Sequence, residues 1–438
     1  MSTKRKHFLQ CAALVLATAL LSVSCDRHKS DDEPDSYRNV MILYSAGFNS
    51  LSRYLAQNIA DLEKGYVPEK NARDVIVVVS RTTAGNNGYS EETAPSLFRI
   101  YKHKDAVVRD TLHSLPAGTR LTDPDAMRNF LTRIKDRFPA ESYGMIFASH
   151  STGWLPAGYY SSPETYDGKN VRKGVRRTSE PGIALFPDGP EAGMLLTRSV
   201  GADYYRQSGS TKTFSHEMEI TEMASAIPMH LDYLLFDSCL MGGAEVACAF
   251  KDVADKIGFS QAEVLSEGLN YRTLTQNLLQ GSPDPAAVCR DYYEQYDAQP
   301  GVYHSATVSL VDGRRIDGLA AACKPLFEKY REEIRALDEK DVQGFGADKH
   351  WFFDLKDILE KAGAKEEELA DFNAALGACV LYKATTGQYY SMFHGSNGGT
   401  VAVKAFCGLS MYLPSAGSAY LDDYYKTLSW NQATGLVE

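Results

Sequence analysis

The chain of 438 residues is 44% hydrophobic and 23% charged, an ordinary globular make-up, long enough for one large domain or two to three small ones. Its net charge of -10 and pI near 5.6 leave no broad basic surface and set nucleic acid aside as a partner. Cysteines follow residue 25 at 239, 248, 289, 323, 379 and 407; none forms a CxxC pair, so no zinc site is indicated, and core packing is the expected role of most of them.

At the start, Lys4, Arg5 and Lys6 precede an apolar stretch, Phe8 to Val23, too short for a comfortable membrane span. With the small residues Ser22, Val23 and Ser24 it reads as a secretion signal over 1–24. Cys25 then resembles the lipobox cysteine of bacterial lipoproteins, which becomes the lipidated N-terminus, although Ser22 stands where the usual Leu would be. A cleaved signal with an incidental Cys25 is the plainer alternative. The polar, acidic segment 25–37 reads as a disordered tether. The expected location is the cell envelope, as an outer-membrane or cell-surface lipoprotein.

From 38 to 438 the pattern is that of one domain. Val40 to Tyr44 is a continuous apolar run, as in a strand buried on both faces, and Leu51, Tyr54, Leu55, Ile59 and Leu62 then follow at helical spacing. Strands are expected at 74–80 and, at an edge, 97–103; a helix starts at Asp123-Pro124, and a fourth strand covers 143–150. Residues 155–215 break the rhythm and read as a long irregular insertion rich in Gly, Lys and Arg. A helix near 217–226, a strand running into Asp237 and a short strand at 256–263 resume it. The C-terminal part, 283–438, reads as an extension with helices over 285–296, 318–337 and 365–382, a strand at 306–311 and a strand-like end at 408–415. Strands alternating with helices predict an α/β three-layer sandwich around a mostly parallel sheet.

Two of these strands end in reactive side chains: ASHSTGW after Phe147 and FDSC after Leu235. In an open parallel sheet functional groups gather beyond the carboxyl ends of the strands, so His150 and Cys239 are expected in one crevice. LMGGAEVACAF reads as a helix, which would put Cys239 at a helix N-terminus, where the dipole favours thiolate. An imidazole beside a thiolate makes a nucleophile–base dyad. A packed thiol near an unrelated histidine is the bland alternative.

Five segments carry more. VMILYSAGFNSL, the block from Asp123 to Trp154 around His150, LDYLLFDSCLMGGAEVA around Cys239, SQAEVLSEGLNY at 260–271, and GLSMYLPS with Trp430 after it resemble the clostripain family of cysteine peptidases, of the caspase-like clan. The resemblance implies a caspase-like sheet, the dyad His150 and Cys239, and cleavage of protein or peptide substrates after Lys or Arg. It implies acids in the pocket for that side chain: Asp237, two before the cysteine, and Glu267. A helix-capping acid and a solvated loop charge are their alternatives. Backbone N–H groups of Ser151 and Cys239 would form the oxyanion hole. Relatives are cut between the His and Cys blocks, which points to Lys169, Arg172, Lys173, Arg176 and Arg177 as a processing loop. Some relatives need calcium; the chain has no EF-hand-like loop, so calcium rests on the resemblance alone.

The chain departs from the family at Ser151, where a Gly is usual; a positive φ there would strain a serine. A surface binding protein that keeps the fold and has lost activity is therefore the second reading. A dinucleotide enzyme or serine hydrolase ranks last, since no G-x-G-x-x-G follows the first strand and no P-loop or G-x-S-x-G occurs.

Overall fold

The uninterrupted apolar runs become the middle of one sheet. Its strands are β1 (Tyr37–Gly47), β2 (Asp74–Thr82), β3 (Ser96–His103), β4 (Ala106–Ser114) and β5 (Ala140–Ala148). A separate hairpin follows, β6 (Val200–Arg206) and β7 (Thr213–Met218), and the sheet continues with β8 (Leu231–Asp237), β9 (Ala254–Phe259) and β10 (Thr307–Asp312). The two-residue β11 (Phe353–Asp354) lies outside it, and β12 (Val380–Thr385) completes the nine. The computed structural model describes residues 33–83, 93–160, 163–167, 200–206, 213–348, 351–395 and 398–438; Cys25 and the basic stretch 169–177 lie outside them.

The strand order is β12-β10-β9-β8-β5-β1-β2-β3-β4. The five central strands, β9 to β2 in that order, are parallel, and each flank adds two antiparallel strands. Side chains of β1 alternate between the two faces: Val40, Ile42 and Tyr44 join one apolar core, Met41 and Leu43 the other. Helices α1 (Ser52–Leu62), α2 (Pro124–Arg137), α3 (Ile220–Ala226), α4 (Ala244–Phe250), α5 (Tyr271–Leu279), α6 (Pro285–Asp297) and α7 (Ile316–Lys329) cover both faces. Met127, Met223, Val246 and Leu319 place α2, α3, α4 and α7 on the first core. Leu55, Leu274 and Val288 place α1, α5 and α6 on the second. This is the expected three-layer α/β sandwich, mixed rather than all parallel, and Pro34–Glu438 is a single compact unit.

Several elements differ from expectation. β3 is not the edge; β4 lies outside it, with alternating exposure and no apolar run to announce it. The stretch 155–215 is not wholly irregular, since β6 and the start of β7 fall within it. The helix expected over 318–337 breaks at Tyr330, and that over 365–382 ends at Cys379, where Val380 opens β12. The strand at 408–415 shrinks to Ser410–Met411. Within 283–438, β10 and β12 belong to the main sheet.

The β6–β7 hairpin leans on the carboxyl ends of β1 and β5. Tyr204 N–H donates to the Phe48 carbonyl over 2.8 Å and Ala202 N–H to Ser149 Oγ over 3.2 Å. Asp203, fully buried, pairs with Arg81 on β2 at 3.1 Å, and the Arg81 guanidinium lies 3.9 Å from the Phe48 ring centre.

Candidate active site

β1, β5 and β8 are parallel neighbours, so the residues that follow them converge beyond one edge of the sheet. In the β5–β8 register Ala148 is level with Asp237. His150 and Cys239 each stand two residues further on along the chain, beyond neighbouring strands that lie about 4.8 Å apart. The sequence separates these two side chains widely; the sheet order brings their strand ends together.

His150 is buried, and its Nε2 lies 2.7 Å from Ser50 Oγ. Cys239 is partly exposed, whereas Cys248, Cys289, Cys323, Cys379 and Cys407 are buried free thiols. Burial pushes the Cys289 and Cys379 thiols up to about 12, which keeps them neutral and unreactive. The Val264 N–H donates to the Cys239 sulfur over 3.3 Å, and the thiol in turn points to the Val264 carbonyl over 3.8 Å.

The helix expected to start at Cys239 starts later. α4 begins only at Ala244, with Gly243 as its cap, so Cys239 does not sit at a helix N-terminus and Asp237 does not cap one. Instead, residues 239–242 form a turn stitched to the chain after β9: Leu240 N–H donates to the Ala262 carbonyl over 3.0 Å and Gly242 N–H to Ser260 over 2.7 Å. Leu240 takes a φ of +61°, sparsely populated for a side chain of its size. Gly153, also at +61°, lies against it; a Cβ there would come within 2.5 Å of the Leu240 carbonyl oxygen. The histidine loop and the cysteine turn are thus in direct contact.

Ser151 does not carry the strain expected of it. Its φ is not positive, and the left-handed position of the loop is Gly153, two residues later. Ser151 forms a bridge with Val200, and the Gly201 N–H donates to the His150 carbonyl over 2.9 Å. In an antiparallel bridge flanked this way, the Ser151 N–H points away from β6. Its hydroxyl donates to the His150 carbonyl over 2.8 Å.

Asp237 is the most perturbed acid beside the thiol. It is 6% exposed, and burial pushes its carboxyl up to about 6 against the opposing hydrogen bond of Tyr271. Tyr271 donates to Oδ2 over 2.7 Å, while Oδ1 is buried without a hydrogen-bond partner. Gly268 packs its backbone on this carboxylate at a φ of +68°, and a Cβ there would collide with it. No Lys or Arg among the described residues pairs with Asp237. Glu267 is exposed, in the turn that Gly268 closes; it stands outside the buried position of Asp237.

Among the described residues, no group of three or more His, Cys, Asp or Glu side chains is placed to hold a metal ion, so the carboxylate cage that calcium prefers is not present among them. A wide groove lined by Arg38, Glu141, Asp232, Asp255 and Lys256 lies at the other, amino ends of the strands, away from His150 and Cys239. Sequence reasoning missed Ser50, Val264 and Tyr271. Ser50 alone left a signal, a polar residue just past the end of a buried strand.

Comparison with known proteins agrees with this fold. The sequence profile of the clostripain family matches residues 43–172 and 207–436. Clostripain of Hathewaya histolytica is 21% identical, over 88% of this chain and 76% of its own. The X-ray structure of an inactive zymogen C11 protease from Parabacteroides distasonis superposes with a TM-score of 0.70 at 24% identity, covering 92% of this chain and 99% of that one. A secreted C11 cysteine protease from Bacteroides thetaiotaomicron, in complex with an irreversible peptide inhibitor, gives 0.69 at 22%, covering 91% and 98%. These structural likenesses show the fold. With the profile spanning most of the sequence, on both sides of the insertion and through both strand-end blocks, the chain belongs to the clostripain family of cysteine peptidases.

Proposed function

We propose that this peptidase cleaves proteins and peptides after Lys or Arg, with Cys239 as nucleophile and His150 as its acid–base partner. The observation that carries the specificity is Asp237: a buried carboxylate two residues before the thiol, with one oxygen unpartnered and no cation beside it among the described residues. An ammonium or guanidinium of a substrate supplies the missing charge and holds the following peptide carbonyl near Cys239. Glu267 stands where a second acid of the pocket belongs by resemblance, and its exposure gives it a weaker, rim role.

The thiolate of Cys239 attacks the carbonyl carbon. The N–H groups of Cys239 and Ser151 receive the oxyanion. The amine leaves with a proton from His150, and water, deprotonated by the same imidazole, hydrolyses the thioester to release the acid and regenerate the thiol. The impaired binding protein loses its main support, because the backbone asks for no glycine at 151.

Two further parts of the proposal lie outside the described residues. The chain is cut within 169–177 on activation; the relative described as an inactive zymogen supports a latent form. Cys25 anchors the enzyme to the cell envelope through lipid, and a secreted relative supports an export route.

The test is hydrolysis of fluorogenic peptides ending in Arg, Lys or Ala by residues 26–438, beside Cys239→Ala and His150→Ala. Basic peptides are cleaved and both variants are inactive. Turnover by Cys239→Ala, or equal turnover of the Ala peptide, overturns the reading. Active enzyme that stays one uncut chain overturns the processing step alone.

A further inference from the structure

His150 has a second neighbour that the dyad does not account for. The three strands that end at the site are adjacent in the order β1, β5, β8, with β5 in the middle. Ser50 follows β1, His150 follows β5 and Cys239 follows β8. His150 therefore follows the middle strand, with the Ser50 strand end on one side and the Cys239 strand end on the other. The 2.7 Å contact commits Nε2 to the Ser50 side.

The turn that carries Ser50 is held firmly. The Asn49 side chain is buried and donates to the carbonyls of Ala46 (2.8 Å) and Ala202 (2.7 Å). Its Oδ1 accepts the Leu51 N–H over 2.8 Å, and its carbonyl accepts the Ser52 N–H over 3.0 Å. Ser50 sits between these anchors, so its hydroxyl is offered to the ring from a fixed place.

We infer that Ser50 is the positioning residue of His150: its hydroxyl holds Nε2 and leaves Nδ1 as the nitrogen that serves Cys239. This rests on the His150–Cys239 reading. A ring nitrogen already engaged in a hydrogen bond fixes which nitrogen does the chemistry. Nδ1 takes the thiol proton as the thiolate forms. The resulting imidazolium carries a proton on each nitrogen; Nε2–H donates to Ser50 Oγ, and Nδ1–H is passed to the leaving amine. The serine oxygen accepts throughout and exchanges no proton. Without the hydroxyl, the ring keeps its place in the loop and loses its angle, an error that costs on the order of 10²-fold when it displaces a reacting group by about 1 Å.

The experiment compares Ser50→Thr with Ser50→Val, two side chains of one shape that differ in the hydroxyl, together with Ser50→Ala and the inactive references Cys239→Ala and His150→Ala. Two quantities are read: kcat and KM on an Arg peptide, and the rate of Cys239 alkylation by iodoacetamide at pH 6.5, which needs no turnover. Ser50→Val and Ser50→Ala are expected to lose about 10- to 100-fold in kcat with KM within about twofold, because the specificity pocket is untouched. Their alkylation slows about tenfold, and Ser50→Thr stays within about threefold of the parent in both. Val equal to Thr in kcat and alkylation overturns the inference while the references stay dead and the dyad stands. A Cys239→Ala variant that still turns over removes the dyad and the inference with it.

Discussion

Replacing Asp237 with Asn tests the proposed pocket most directly, because the proposal gives the acid a functional gain and its burial a stability penalty. Burial raises the carboxyl from its ordinary 3.8 to about 6, equivalent to about 3 kcal/mol of disfavoured charge in the empty enzyme. The unfolded chain ionises near 3.8 and the folded one near 6, so stability supplied by the protonated acid is fully present below 3.8 and lost as pH rises through 6. At pH 8 the enzyme bears that penalty, and Asp237→Asn is expected to unfold later by up to about 3 kcal/mol. Activity moves the other way. Removing one partner of a buried charge pair costs about 2–5 kcal/mol, so kcat/KM on an Arg peptide falls by roughly 30-fold to several thousand-fold. The decisive measurement is the ratio of kcat/KM for an Arg peptide to that for its norleucine counterpart between pH 5 and 8. The ratio cancels the titration of Cys239 and His150, which both substrates share. In the parent it rises with pH with a midpoint at about 6 and then levels off; in Asp237→Asn it is low and flat. A flat ratio in the parent, or a preference for Arg that survives in Asp237→Asn, refutes the reasoning.

Ser151→Gly is expected to change kcat by less than about threefold, since the serine already has an unstrained backbone, whereas Gly153→Ala, at a φ of +61° and against the Leu240 carbonyl, loses activity by more than tenfold and stability by about 1–3 kcal/mol; peptide hydrolysis and urea unfolding check both. Glu245, buried on α4 and accepting from the Tyr425 hydroxyl over 2.7 Å and the Tyr412 N–H over 2.9 Å, has its carboxyl pushed up to about 7 by burial. Stability it supplies below 4.5 is lost by pH 7, about 3 kcal/mol, and Glu245→Gln flattens that slope in melting curves taken from pH 5 to 8. Arg81→Ala leaves Asp203 buried and unpaired and costs about 3–5 kcal/mol in urea unfolding, while Arg81→Met with Asp203→Leu recovers most of it.

How much of this was legible in the sequence depends on the kind of signal each element leaves. β1, β2, β5 and β8 are buried on both faces and appear as unbroken apolar runs. β4 and β12 flank the sheet half in solvent, and Val380-Leu381-Tyr382 continues the apolar pattern of the helix before it, so the change of period is invisible. His150 and Cys239 were found as strand-end side chains, and resemblance supplied their roles. The start of α4 was misplaced because Leu240-Met241 extends its apolar face backwards, although Gly242 and Gly243 mark the break. Ser50 left only a polar residue past a strand end and Val264 no signal: their contacts depend on β5 lying between β1 and β8, and on the chain after β9 folding back along the cysteine turn. Neither follows from local periodicity.

The pairing of β5 with β8 has a consequence for the enzyme's lifetime. The proposed cut within 169–177 would leave β1 to β5 on one polypeptide and β8, β9, β10 and β12 on another, with His150 on the first and Cys239 on the second. The sheet is then an obligate heterodimer welded along its own midline. Each fragment by itself would present a long apolar edge, a template for aggregation rather than for return. Refolding would become a meeting of two chains and slow with dilution, unlike that of a single uncut chain. The cut molecule lives as long as its unfolding barrier lasts and is not rebuilt afterwards, so a protease matured this way is timed by kinetics and not by equilibrium.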